Sequence, residues 1–171
     1  MRVAPSCLTF LAIALSLSSL SHAADKVVGP GENADTGSRS VLVPSGVAAG
    51  VIDTGSGEVE LVGTRVEGKV DTGSGDISLT DSVIGDDLVT SAGRVTLAGA
   101  SVVEGDLIVR KPKCWGLCWG NDQPTRVVIG ASASVVGDIR IEREAELWVH
   151  ESARIGRVSG AQVKRYSGER P

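Results

Sequence analysis

The amino-acid sequence predicts an all-β fold: a single-domain parallel β-helix, or β-solenoid, with about 18 residues per coil. Three observations predict it. The words Asp35-Thr36-Gly37-Ser38, Asp53-Thr54-Gly55-Ser56-Gly57 and Asp71-Thr72-Gly73-Ser74-Gly75 stand 18 residues apart, and a degraded copy follows at Val89-Thr90-Ser91-Ala92-Gly93. Apolar residues keep the same register in four columns: Ala34, Ile52, Val70, Leu88; Val41, Val59, Ile77, Val95; Val43, Leu61, Leu79, Leu97; and Ala48, Val66, Ile84, Val102. Finally, 22 glycines and only 3% aromatic residues among 42% hydrophobic ones suit a thin aliphatic core with many turns.

Between the second and third columns lie Leu42, Glu60, Ser78 and Thr96, an in-out-in alternation that marks strands. Equal copies without gaps stack as parallel rungs about 4.8 Å apart, and each buries its apolar residues against its neighbours. About six or seven coils are expected.

Residues 1–23 read as a signal peptide, with Arg2 ahead of an apolar stretch from Leu8 to Leu20 and small residues in Ser21-His22-Ala23. Cleavage is expected between Ala23 and Ala24, leaving no transmembrane anchor, since the stretch is too short to span a bilayer comfortably. Residues 24–33, with Gly29-Pro30-Gly31, lead into the first coil. Solenoid coils then occupy residues 34–110. The run 111–126, holding Cys114, Trp115, Cys118 and Trp119, breaks the pattern as a loop insertion. Afterwards Val127, Ile129, Gly137, Asp138, Ile139 and Ile141 reproduce Val95, Leu97, Gly105, Asp106, Leu107 and Val109 at a constant displacement of 32 positions. Coils therefore resume in register over 127–160, and residues 161–171 form a polar, basic tail.

The chain carries 17 basic and 21 acidic residues, for a net charge of −4. They are unevenly laid: residues 24–110 carry a net −8, residues 111–171 a net +3. Nucleic acid is not an expected partner, because the basic residues neither cluster nor alternate with stacking aromatics. Attraction between oppositely charged halves of two solenoids is one expectation, and it would be sensitive to salt.

The phrase Thr72-Gly73-Ser74-Gly75-Asp76-Ile77-Ser78-Leu79 resembles the recurring unit of exported bacterial adhesin-like β-solenoid domains. The stretch Val127 to Ile139, with Ile129-Gly130-Ala131-Ser132-Ala133-Ser134-Val135, is similar to a coil of the bactofilin-like, polymer-forming proteins. These resemblances cover most of residues 34–158. They imply a right-handed helix, and neither family brings a catalytic residue to these positions. Bactofilins are cytoplasmic filaments, whereas this chain starts with an export signal and carries a cysteine loop.

Four places in the chain could carry chemistry. Ile52-Asp53-Thr54-Gly55-Ser56 matches the phrase around the catalytic carboxylate of aspartic proteases, which need two such loops facing one another so that two carboxylates share a proton. Three copies at equal steps along a stack do not supply that pair. A stacked acidic corner offers oxygen ligands to calcium, but the spacing does not promise convergence, and no cofactor or metal is expected. Cys114 and Cys118, the cysteines left after export, are expected to pair as a disulfide that closes the loop. A metal site drawing on His150 is the competing reading, and it lacks a nameable fourth ligand. Trp115 and Trp119 make a candidate binding surface for sugar rings or a partner protein if they face water, and a latch on the aliphatic flank if they do not.

The expected function is non-enzymatic: an exported structural or adhesin-like protein of the bacterial cell envelope, in the periplasm, on the surface or secreted. The alternatives are a carbohydrate-binding or carbohydrate-active β-helix, and a scaffold that self-assembles through its coil ends. Expected partners follow those readings: another copy through the coil ends, an envelope component, or a glycan.

Overall fold

Triplets such as Val41-Leu42-Val43 and Ile52-Asp53-Thr54 place an outward side chain between two inward ones, and each forms a short strand with a buried, exposed, buried pattern. The structure, a computed structural model, describes residues 25–111 and 124–171, and those residues form twenty-one short strands and no helix. The chain turns after each strand, so successive strands fall in rotation on three sheets.

Face A has eight strands: Lys26–Val27, Val41–Val43, Val59–Val62, Ile77–Thr80, Arg94–Ala98, Thr125–Ile129, Ala145–His150 and Val163–Tyr166. Face B has seven: Ala34–Thr36, Ile52–Thr54, Val70–Thr72, Leu88–Thr90, Leu107–Val109, Ile139–Ile141 and Val158–Ser159. Face C has six two-residue strands: Ala48–Ala49, Arg65–Val66, Val83–Ile84, Val102–Val103, Ser134–Val135 and Arg154–Ile155. Every neighbouring pair is parallel, and the molecule is a β-solenoid of about seven turns.

The interior is a stack of like upon like. Val41, Val59, Ile77, Val95, Val127 and Leu147 are successive Cα partners, and all are buried. The column of Val43, Leu61, Leu79, Leu97, Ile129 and Val149 runs beside it, and Ala34, Ile52, Val70, Leu88, Leu107 and Ile139 face both from the opposite sheet. Each such aliphatic side chain stabilises the fold by roughly 1.5–3 kcal/mol when fully buried.

The fourth predicted column is corrected by one residue at two points. Ala49, not Ala48, lies over Val66, and Val103, not Val102, lies over Ile84. The difference is taken up in the corner between faces A and C, a turn whose rung-to-rung bonds, such as the Gly46 N–H to the Gly63 carbonyl and the Asp81 N–H to the Ala98 carbonyl, form whether or not the corner carries an extra residue. In the turn that starts at Leu97 the extra residue falls at Gly99-Ala100, where Gly99 takes a φ of 61°. The longer corner before Ala49 is offset by a shorter one before Ile52, so faces A and B keep their 18-residue step there.

The insertion leaves from the corner between faces B and A, the same corner that holds the Thr-Gly-Ser-Gly turns. Its described roots are Lys111 and Pro124, and beyond them Val95 pairs with Val127 and Leu97 with Ile129.

Both ends of the stack carry a cation in an inward column. Lys26 is the Cα partner of Val41, and its ammonium meets Glu32 at 2.7 Å across the first rung. Arg165 is the partner of Val149, and its guanidinium donates to the His150 carbonyl at 3.3 Å. Charges placed inward on terminal strands are a known means of keeping sheet edges from pairing with other chains.

Candidate binding surface

Most of the polar residues that caught the eye in the sequence are used by the coil itself. In the Asp-Thr-Gly-Ser-Gly unit the threonine points inward: Thr36, Thr54, Thr72 and Thr90 are buried in one column that continues into Val109 and Ile141. Their hydroxyls tie the turn that follows. Thr36 donates to the Arg39 carbonyl at 2.9 Å, Thr54 accepts from the Gly57 N–H at 3.0 Å, and Thr72 donates to the Gly75 carbonyl at 3.2 Å. Thr72→Val keeps the shape and removes that bond. It is expected to cost about 1 kcal/mol in urea unfolding, with the coil intact by circular dichroism.

The glycines of the unit serve closeness, not unusual backbone angles. Gly55, Gly57, Gly73 and Gly75 are absent from the residues with positive φ. A Cβ at Gly73 would lie 2.3 Å from the Gly55 carbonyl oxygen, and one at Gly75 would lie 1.8 Å from that of Gly57. Only a residue without a side chain lets one turn sit on the next.

The aspartates of the unit lie in one outward column of face B, where Asp35, Asp53 and Asp71 are successive Cα partners. They stand side by side rather than opposed across a cleft. Asp71 is bridged by Lys69 at 3.2 Å and by Arg110, which reaches back over two rungs. Among the described residues no three His, Cys, Asp or Glu side chains come together in a way that would hold a metal ion.

A second acidic ladder, at the corner between faces C and B, was missed in the sequence because its spacing is uneven. Asp87, Asp106 and Asp138 each accept a backbone N–H from the next turn: from Asp106 at 2.8 Å, Asp138 at 2.8 Å and Arg157 at 3.3 Å. Arg140 and Arg157 also pair with Asp106 and Asp138, at 2.7 and 3.2 Å. These acids join rungs. The opposite corner is joined by buried hydroxyls, with the Thr64 N–H donating to Ser82 at 3.2 Å and the Ser82 N–H donating to Ser101 at 3.4 Å.

What remains is the outer side of face A, whose charges are largely unspent. Its central outward column reads Val27, Leu42, Glu60, Ser78, Thr96, Val128, Trp148 and Lys164. Beside it runs Glu58, Asp76, Arg94, Arg126 and Glu146. Val27, Leu42 and Val62 are 59%, 40% and 44% exposed and form an apolar patch at the amino-terminal end, bordered by Glu58 and Glu60. Among the described residues Glu58, Glu60, Arg94 and Arg126 make no salt bridge.

At the carboxy-terminal end Trp148 lies between two cations, with the Arg126 guanidinium 5.9 Å and the Lys164 ammonium 5.0 Å from its ring centroid. Lys164 also meets Glu146 at 2.7 Å, and this hydrogen bond holds the Glu146 carboxyl below its ordinary range. A lowered folded-state pKa means that the pair's contribution is complete above the unfolded value and is lost as pH falls through the folded one. Glu146→Gln is therefore expected to narrow the drop in melting temperature between pH 6 and pH 3 relative to the unaltered chain.

His150 packs edge-on to Tyr166 at 5.2 Å and shares a 2.8 Å hydrogen bond with Ser152. Burial raises the Tyr166 phenol above its usual range. The predicted site residues Cys114, Trp115, Cys118 and Trp119, and with them the disulfide, lie outside the described residues. Among the described residues Arg110 Nε, Thr125 Oγ1, Arg126 Nε and Trp148 Nε1 are buried without a hydrogen-bond partner, and they sit at the roots of that insertion or one rung beyond it. Compared with known proteins, the chain matches no family model, no curated protein and no solved structure.

Proposed function

We propose that this chain is an exported, non-enzymatic structural protein of the bacterial cell envelope, adhesin-like in that it presents a charged sheet surface. The observation that carries this reading is the use made of the repeated Asp-Thr-Gly-Ser-Gly unit. Its threonines close turns and its glycines let the turns stack, which accounts for the unit without any reaction. Export is supported by the signal-like character of residues 1–23. Cell fractionation with mass spectrometry tests it: a chain beginning at Ala24 in the periplasmic, surface or medium fraction is expected. An intact Met1 start confined to the cytoplasm would overturn the proposal.

Growth into a polymer through the coil ends is disfavoured by the inward Lys26 and Arg165 on the terminal rungs. Lys26→Leu removes one of these charges from the first rung. It is expected to raise the average mass in sedimentation at a concentration where the unaltered chain forms no long species.

A further inference from the structure

We propose that two copies of this chain pair through the outer side of face A, with their stacks antiparallel, about a two-fold axis parallel to the strands. The axis falls between strands Ile77–Thr80 and Arg94–Ala98. The proposal is read from the outer charges alone, and it stands or falls separately from the export reading.

With the strands kept aligned, two face-to-face arrangements of identical sheets have two-fold symmetry. An axis along the stack would keep every strand opposite its own copy, so the strand of Glu58 and Glu60 would meet another acidic strand and the strand of Arg126 another basic one. An axis along the strands reverses the order of the rungs and keeps each lateral column opposite itself. With the axis in the middle of the eight strands, Asp76 comes opposite Arg94, Glu58 opposite Arg126, and Glu60 opposite Val128, on the diagonal to Arg126. Leu42 comes opposite Trp148, and Val27 opposite Lys164. In the neighbouring column, exposed Val62 meets Gly130, which has no side chain to obstruct it. The rungs beside the axis carry Ser78, Thr80, Thr96 and Ala98, small enough for two sheets to approach to about 10 Å.

Charge complementarity thus selects one arrangement, and its occupant is a second copy of the same chain. The inward cations on both end rungs direct association away from the ends and toward this side. Eight strands about 4.8 Å apart and four residues wide cover on the order of 500 Å² per partner, at the low end of specific interfaces, so a weak, salt-sensitive dimer is expected.

Sedimentation velocity of the purified chain tests this, with circular dichroism to verify the fold of each variant. In about 20 mM salt a concentration-dependent dimer is expected, and its affinity should drop about tenfold or more in 0.5 M salt. Glu58→Lys with Glu60→Lys, and separately Arg126→Glu, are each expected to give monomers. Mixed in equal amounts, the two variants should dimerise again, because both halves of the interface then bring opposite charges together. A monomer at high concentration and low salt, a dimer indifferent to salt or to either reversal, or species growing past a dimer would each overturn the proposal. So would folded variants that stay monomeric when mixed.

Discussion

Gly75→Ala is expected to destabilise the fold by roughly 3 kcal/mol, read as a shift of the urea midpoint without a large change in slope. The added carbon would lie 1.8 Å from the Gly57 carbonyl oxygen, 2.6 Å from its carbonyl carbon and 3.3 Å from the backbone nitrogen of Glu58. All three are main-chain atoms of the turn below, held there by the ladder, so no side chain can swing away to make room. The same word in the first turn supplies the control. Gly37 occupies the position of Gly55 and Gly73, yet a Cβ there meets nothing within 4 Å because no turn lies before it. Gly37→Ala is expected to stay within about 0.5 kcal/mol of the unaltered chain. A motif kept for catalysis would not make its tolerance depend on its place in the stack.

How far the sequence foretells this structure depends on where the ladder is continuous. Columns on faces A and B were legible because hydrogen-bonded strands lock a step of constant length, so Val59, Ile77 and Val95 are Cα partners as the repeat implies. The same rigidity made the resumption at Val127 readable across the insertion. Face C strands are only two residues long, and its corners gain or lose a residue, so Ala48 and Val102 were placed one position off. The close packing that the glycines permit was not legible, because spacing reveals a turn but not the distance to the turn beneath it. The inward direction of the threonines was not legible for a related reason: a hydroxyl suits a turn equally well from inside or outside. The candidate surface on face A was the least legible part. Its opposite charges lie on separate strands, and only the register brings Glu58, Asp76, Arg94 and Arg126 into one line.

Leu79→Ala is expected to cost about 2–5 kcal/mol, in the range of buried leucine truncations. Leu79 is fully buried, with Leu61 and Leu97 as its partners on the turns to either side. Neither partner can move in to fill the space, because its own backbone is fixed by the ladder on both edges. The cavity is therefore expected to persist and the loss to fall at the upper end of that range. Val163 offers the contrast: it lies on the last strand of face A and is only partly buried against the core. Val163→Ala removes contact with a single turn and is expected to cost about 1 kcal/mol or less. In a stack held by nearest-neighbour contacts, the two variants should also differ in what unfolds first. Amide exchange in the Val163 variant should quicken in the final turn alone, while the Leu79 variant should lose protection on both sides of the cavity. Equal losses from the two truncations would mean that stability here is not set turn by turn.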